Sequence, residues 1–257
     1  MKVVLLGTGT SHGVPEIGCT CVVCTSPDTR DRRLRTSAWI ETDMGDNILI
    51  DCGPDFRTQA LTIPFCPLAG VLLTHEHYDH VAGLDDLRMY SSEHALPVYS
   101  DTKVEAAIRE RIPYCFAKPR YPGTPHISLN VVHPLRAFTC GNTEILPLFV
   151  LHGNLPILGY RIGSFAYITD CRYLPEESLN ALKGISHLVI NALHFKPHAS
   201  HQSVAEALEL IADIQRITDL QATYLTHVTH RIGLHEETNS ILPPDVHLGY
   251  DGLMFSV

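Results

Sequence analysis

Residues 74–80 read Thr74-His75-Glu76-His77-Tyr78-Asp79-His80, and no hydrophobic core has a use for such a run. Three histidines and an aspartate within six residues put four metal-ligand side chains in one place. The apolar run Gly70-Val71-Leu72-Leu73 comes just before, short enough to be a buried strand, and a helix is expected just after. The cluster is therefore expected at the C-terminal end of a strand, where α/β proteins place their chemistry.

Other ligand-type residues follow apolar runs in the same way. Leu148-Phe149-Val150-Leu151 leads into His152, Ala166-Tyr167-Ile168-Thr169 into Asp170, and Ala222-Thr223-Tyr224-Leu225-Thr226 into His227. One strand ending in histidine is unremarkable; four strand ends each delivering a ligand point to a shared site. Strand-like segments recur at Lys2–Leu6, Ser37–Thr42, Asn47–Asp51, Pro97–Tyr99, Ile127–Val132, Leu158–Ile162 and His187–Asn191. Asp101–Arg111 reads as a helix. So does Ser203–Gln215, with Ser203 and Glu206 spaced as a capping box and Val204, Ala207, Leu208, Ile211 and Ile214 on one face. The expected class is α/β, with two sheets face to face, helices outside, and the site where strand ends of both halves meet. One domain over residues 1–257 is expected.

Cys19-Thr20-Cys21-Val22-Val23-Cys24 places three thiols within six residues. Such spacing suits zinc, and a closed site needs a fourth ligand. His230, three residues after His227, is the candidate; three reduced buried cysteines are the plainer alternative. Cys52, Cys66, Cys115, Cys140 and Cys171 read as packing residues.

The ordered set His75, His77, Asp79, His80, His152, Asp170 and His227 resembles the metallo-β-lactamase superfamily, from Gly7-Thr8-Gly9 to Gly249-Tyr250-Asp251-Gly252. The resemblance implies an αββα sandwich and a two-metal site. His75, His77 and His152 would bind one ion and Asp79, His80 and His227 the other. Asp170 would bridge them, with Zn or Mn as the metal and a bridging hydroxide as the attacking group. Asp51 would support the metal loop through hydrogen bonds. The cysteine cluster with Thr226-His227-Val228-Thr229-His230, together with Gly13-Val14-Pro15, narrows the resemblance to the cyclic phosphodiesterases of bacterial phosphonate breakdown. Cys19, Cys21, Cys24 and His230 would then hold a structural Zn. That family places a catalytic histidine at the start of the helix corresponding to 203–215, which gives His201 the role of general acid. His198 and His194 are competitors for it. Asp79 would serve in catalysis as well as ligation. Two features depart from the family: Asn191 stands where an acidic residue is expected, and the Pro- and aromatic-rich segment 112–126 has no counterpart.

Substrate contacts are expected from His198, from Arg88, for which a surface pair with Asp85 is the alternative, and from His12. The expected activity is hydrolysis of a small cyclic or nucleotide-like phosphodiester. A tRNA 3′-end nuclease is the runner-up, and an iron-dependent redox or sulfur-handling enzyme a third reading. The formal charge of −9 and the lack of a long Lys-rich arm speak against a stable nucleic-acid partner. No apolar run approaches a membrane span, and the N-terminal run is too short for a signal peptide. The expected location is therefore the cytoplasm. A homodimer remains open.

Overall fold

The structure is a computed structural model, described for residues 1–91, 94–119 and 121–257. Among the described residues, fourteen strands follow one another. They are β1 (Lys2–Gly7), β2 (Ser37–Glu41), β3 (Asn47–Ile50), β4 (Gly70–Leu72), β5 (Leu96–Ser100), β6 (Ile127–Val131), β7 (Phe138–Cys140), β8 (Thr143–His152), β9 (Leu155–Ile162), β10 (Phe165–Ile168), β11 (His187–Asn191), β12 (Ala222–Thr226), β13 (Val246–Leu248) and β14 (Met254–Ser256). The α-helices are α1 (Phe56–Ala60), α2 (Tyr78–Val81), α3 (Thr102–Arg111), α4 (Glu176–Asn180), α5 (Val204–Gln215) and α6 (His235–Ile241).

The strands form two seven-stranded sheets, ordered β14-β1-β2-β3-β4-β5-β6 and β13-β12-β11-β10-β9-β8-β7. The run β3 to β6 is parallel, as is β10 to β13, so those strand ends point one way within each sheet. Each half of the chain was expected to build one sheet; β14 departs from this by returning to pair with β1. The C-terminal strand follows the Gly249-Tyr250-Asp251-Gly252 turn, in which the Gly252 amide donates to the Leu5 carbonyl at 2.7 Å.

Side chains that alternate along a strand enter different cores. Val3 and Leu5 of β1 face the second sheet's Tyr160, Phe165 and Tyr167, while Val4 and Leu6 face the outer core of Phe56, Val81, Val104 and Ile108. In the second sheet Ile168, Leu188 and Ile190 pack under Val204, Ala207, Ile211 and Ile214 of α5. The strands are apolar on both faces because both faces are covered, and four layers result. This is the αββα sandwich expected from the sequence.

The capping box at α5 is formed. Ser203 Oγ accepts from the Glu206 amide, and Glu206 Oε2 accepts from the Ser203 amide at 2.8 Å. Asp101 caps α3 through the Val104 amide at 2.8 Å. Replacing Ser203 by Ala removes an N-cap, at a cost of about 1 kcal/mol. Thermal unfolding should show a midpoint lowered by roughly 2–4 °C; an unchanged midpoint would mean that the cap carries no stability.

Candidate metal centres

Every ligand-type residue singled out at a strand end reaches the same edge of the sandwich. Ring centroids of His75 lie 4.5 Å from His77, 4.1 Å from His80 and 5.6 Å from His152. Among the described residues four ligand triplets have their ligand atoms within 4.8 Å of one another here: His75, His80 and Asp170; His152, Asp170 and His201; and two that share no member, His75, His77 and His152, and Asp79, His80 and His227. Asp170 lies between them. Its Oδ1 is 3.2 Å from His227 Nε2 and 3.9 Å from His152 Nε2, and its Oδ2 is 3.4 Å from His80 Nε2. The geometry is that of a carboxylate shared by two triplets.

The donor set fits divalent cations. His80 Nε2, both ring nitrogens of His227 and His201 Nδ1 are buried and have no hydrogen-bond partner among the described residues. Orphaned ring nitrogens in a dry site are costly unless a ligand or ion takes up their lone pairs. Burial works against ionisation of Asp79 and Asp170, but the His80 and His227 rings outweigh it and hold both carboxyls well below their usual range. Burial holds the His75 and His77 imidazoles below theirs, in the neutral form that binds metal.

Local backbone explains how the ligands are aimed. Four described non-glycine residues have positive φ, and three of them, Asp51 (58°), Asp170 (55°) and His227 (53°), stand just past strand ends at this site. Such conformations persist only where the surroundings enforce them. Asp51 is fully buried. It accepts from the Thr74 amide at 2.8 Å and the Thr74 hydroxyl at 2.9 Å, and pairs with His80 Nδ1 at 2.7 Å. With Nδ1 held there, His80 turns Nε2 toward Asp79 and Asp170. The loop is also clasped by backbone contact: the Cys52 amide donates to the His80 carbonyl, and a Cβ on Gly53 would come 2.0 Å from the Asp79 carbonyl oxygen.

The cysteine cluster is equally compact. Cys19, Cys21 and Cys24 place their Sγ atoms 3.3, 3.4 and 3.3 Å from His230 Nδ1. The Cys24 amide is the largest influence holding the Cys21 thiol down to about 6, whereas burial pushes the Cys24 thiol up to about 11. Glu16, which the sequence reading passed over, takes the other face of His230, with Oε2 3.1 Å from Nε2. A carboxylate on the outer nitrogen leaves Nδ1 for the thiols, a common arrangement around zinc-binding histidines. An acid three residues before Cys19 was the only hint in the sequence.

Other expected site residues are placed differently. His201 joins the metal group, its ring 4.5 Å from His152 and 5.0 Å from His227, with Nδ1 3.7 Å from Asp170 Oδ1. The His198 ring lies outside it, tilted, with centroids 5.3 Å apart. Arg88 is ion-paired with Asp85 and lines a separate cleft with Phe56, Leu61 and Met89, so the structure does not bring it to the metal group. His12 is exposed and paired with Glu16 at 2.5 Å, beside the cysteine cluster. Asn191 is buried, with Oδ1 accepting from the Cys171 amide at 2.6 Å and Nδ2 donating to the Cys171 carbonyl at 3.0 Å. It grips the peptide that follows Asp170, a role an acidic residue could not fill in both directions. Within segment 112–126, Pro113–Phe116 is a 3-10 turn, and Tyr114 donates to Asp85 at 2.9 Å.

Fold and site together define a metallo-β-lactamase-type domain whose clustered side chains could hold metal ions. The model of the beta-lactamase superfamily domain matches residues 46–228, and the chain belongs to that superfamily. A diphosphatase from the PhnP family has the same fold with a TM-score of 0.89 and 36% identity, covering 99% of this chain and 96% of that one. Human short-form tRNase Z matches with a TM-score of 0.71 and 17% identity, over 100% and 99% of the two chains, a likeness of fold alone. The octanoyltransferase of Porphyromonas gingivalis is 48% identical over 254 residues, which are 98% of this chain and 51% of that protein. The chain thus spans about half that relative's length. No helix among the described residues is long and apolar enough to cross a membrane.

Replacing Asp51 by Ala frees His80 Nδ1 and the Thr74 donors together. Affinity for an active-site cation should fall about 10- to 100-fold, measured by competition with a chromophoric chelator. Unchanged affinity would remove Asp51 from the metal-positioning role.

Proposed function

We propose that the chain hydrolyses a small phosphodiester, including the disubstituted phosphorus of a diphosphate ester. The convergence of both ligand triplets on Asp170, with His201 at their side, carries this reading. His75, His77 and His152 would hold one cation and Asp79, His80 and His227 the second, with Asp170 on both. Imidazole and carboxylate together suit Zn or Mn. When bound, such a pair supplies Lewis acidity toward phosphoryl oxygens and lowers the pKa of water. Cys19, Cys21, Cys24 and His230 would hold a structural zinc.

The remaining chemistry falls to the chain's own side chains. A phosphodiester oxygen leaves poorly as an alkoxide, so a proton must reach it. His201 Nδ1 lies 3.7 Å from Asp170 Oδ1 without a hydrogen-bond partner among the described residues, which supports His201 as the group that would carry that proton. Burial, reinforced by His227, pushes the free His201 imidazole down to about 3. An anionic phosphodiester lodged against the ring works the other way and favours the protonated form there. The site is dry on the protein side, with His75, Asp79, His80, Asp170 and His227 all buried, which strengthens each of these interactions.

The diphosphatase likeness, at 36% identity over nearly the whole of both chains, supports phosphorus as the centre attacked. The acyl transfer in the octanoyltransferase's name is not carried over. Cys171, which directly follows Asp170, is fully buried and pushed up to about 12 by that burial, so it offers no acyl-accepting nucleophile.

Metal-loaded protein should cleave at least one member of a panel of bis(p-nitrophenyl) phosphate, cyclic nucleotides, ribosyl cyclic phosphate, diphosphate diesters and short RNA. Cleavage of none would overturn the reading, and cleavage of RNA alone would move it to a nuclease. His201→Ala should lose about 100- to 10,000-fold on alkyl esters, far less on p-nitrophenyl esters, whose leaving group needs no proton, and should keep its metal. Equal losses on both ester types would remove the acid role. Elemental analysis should find about three metal ions per chain, and a Cys19→Ala/Cys24→Ala variant should retain about two of them; iron in place of Zn or Mn would favour redox chemistry.

A further inference from the structure

Helix α2 divides two faces. At 3.6 residues per turn, Asp79 and His80 turn toward the metal group, and Tyr78, Val81 and Ala82 turn to the opposite side. That opposite side is one wall of a cleft of about 370 Å³, whose other wall is Ile108, Arg111 and Ile112 at the end of α3. Small-molecule pockets start at about this size. The cleft begins where the metal group is open. His77 and Tyr78 are exposed, whereas His75, Asp79, His80, Asp170 and His227 are buried. A molecule held at the metal group thus has its way out past Tyr78.

Hydrogen bonds tie both walls to the metal loop. Arg111 donates through Nη1 to the carbonyl of Glu76, which stands between His75 and His77. Tyr114, in the 3-10 turn Pro113–Phe116, donates to Asp85 Oδ1 at 2.9 Å and so holds that turn across the edge of the cleft. The segment 112–126, which has no counterpart in the resembled family, thereby supplies part of the wall through Ile112. Residues 111–143 contain no aspartate or glutamate, in a chain with 28 acidic residues. A phosphodiester anion approaching along this side meets no like charge from that stretch.

The lining selects the occupant. Val81, Ile108 and Ile112 give an aliphatic floor, Tyr78 a ring that is 70% exposed, and Asp85 and Arg111 an acceptor and a donor at the edges. An alkyl chain suits the floor and gives Asp85 and Arg111 nothing to bond. A sugar suits the edges and wastes the floor. A planar heteroaromatic ring meets both, with its face on Tyr78 and its ring nitrogens and exocyclic groups at the polar edges. We infer that the cleft between α2 and α3 is a site for a nucleobase-type ring carried by the ester, and that Tyr78 selects for it. This rests on the phosphodiester reading and narrows it to nucleotide esters.

The test compares three esters without an aromatic leaving group on the metal-loaded full chain: adenosine 5′-(ethyl phosphate), ribose 5-(ethyl phosphate) and ethyl octyl phosphate. The adenosine ester should exceed the ribose ester in kcat/KM by about 10-fold or more, chiefly through KM. Tyr78→Ala removes the stacking wall and Ala82→Phe fills the cleft; in each the ratio should fall toward one, with metal content measured alongside. A wild-type ratio near one, or a preference that survives in a folded variant, overturns the site. A preference for the octyl ester over the adenosine ester gives the cleft to an alkyl chain and overturns it equally. If none of the esters is cleaved, the phosphodiester reading itself is in difficulty and the cleft is judged by binding. Adenosine 5′-phosphate should then bind the wild type about 10-fold more tightly than ribose 5-phosphate, with the difference lost in both variants. Equal affinities in the wild type would overturn the site.

Discussion

The buried carboxylate of Asp51 is the interaction on which the site depends. A carboxylate removed from water and left unpaired costs several kcal/mol, so the chain must bring donors to it. The Thr74 amide, the Thr74 hydroxyl and His80 Nδ1 are those donors. Satisfying Asp51 therefore fixes both ends of the metal loop, since Thr74 precedes His75 and His80 ends the cluster. The Tyr160 hydroxyl, reaching across from the second sheet, donates to the Leu73 carbonyl at 2.6 Å and fixes the strand end from below. The loop's shape is held by hydrogen bonds within the chain, which aim the ligand-type side chains at one another.

The second sheet delivers its ligands by a related device. Asp170 and His227 both follow parallel strands in left-handed backbone conformation, and both turns are braced by a neighbouring segment. Asn191 holds the Cys171 peptide in both directions. The Val228 amide donates to the Thr8 carbonyl, and the Thr10 amide to the Val228 carbonyl, so the turn after β12 is stitched to the loop after β1. That loop in turn rests on a fully buried Arg33, which donates to Thr8 Oγ1 at 2.7 Å and to the Gly249 carbonyl at 2.5 Å. Burial pushes this guanidinium down to about 10 and Asp251 nearby up to about 6. Charges so placed are kept where their hydrogen bonds fix several loops at once.

The legible parts of the sequence were those where one residue's chemistry suffices. His75, His77, Asp79 and His80 announce themselves by crowding, and His152, Asp170 and His227 by following apolar runs whose period marks strands. Ser203 and Glu206 give the helix start because a capping box is local. Less legible was whatever depends on partners distant in the chain. β14 is three residues long and alternates poorly, and only its pairing with β1 makes it a strand. Asn191 is an ordinary strand-end amide until the Cys171 peptide lies against it. Arg88 had the composition of a phosphate contact, but the 3-10 turn Leu84–Tyr90 presents it to Asp85 on a different face. Glu16 gains meaning only once His230 is known to turn its outer nitrogen that way.

The cysteine cluster is best understood through the segment it anchors. His227 and His230 are three residues apart, and the stretch between them cannot move at one end without disturbing the other. The Thr229 amide donates to the Leu193 carbonyl, the Leu193 amide to the Gln202 carbonyl, and the Gln202 amide to the Cys171 carbonyl, next to Asp170. A continuous chain of backbone hydrogen bonds thus joins the His230 turn to the residue shared by the two ligand triplets, passing beside His201. A cation gripped by three thiolates and His230 would lock one end of that chain, and its binding free energy would count as stability of the whole segment. The contribution of such a cation would be geometric, holding His227, His201 and Asp170 in register through that chain of hydrogen bonds.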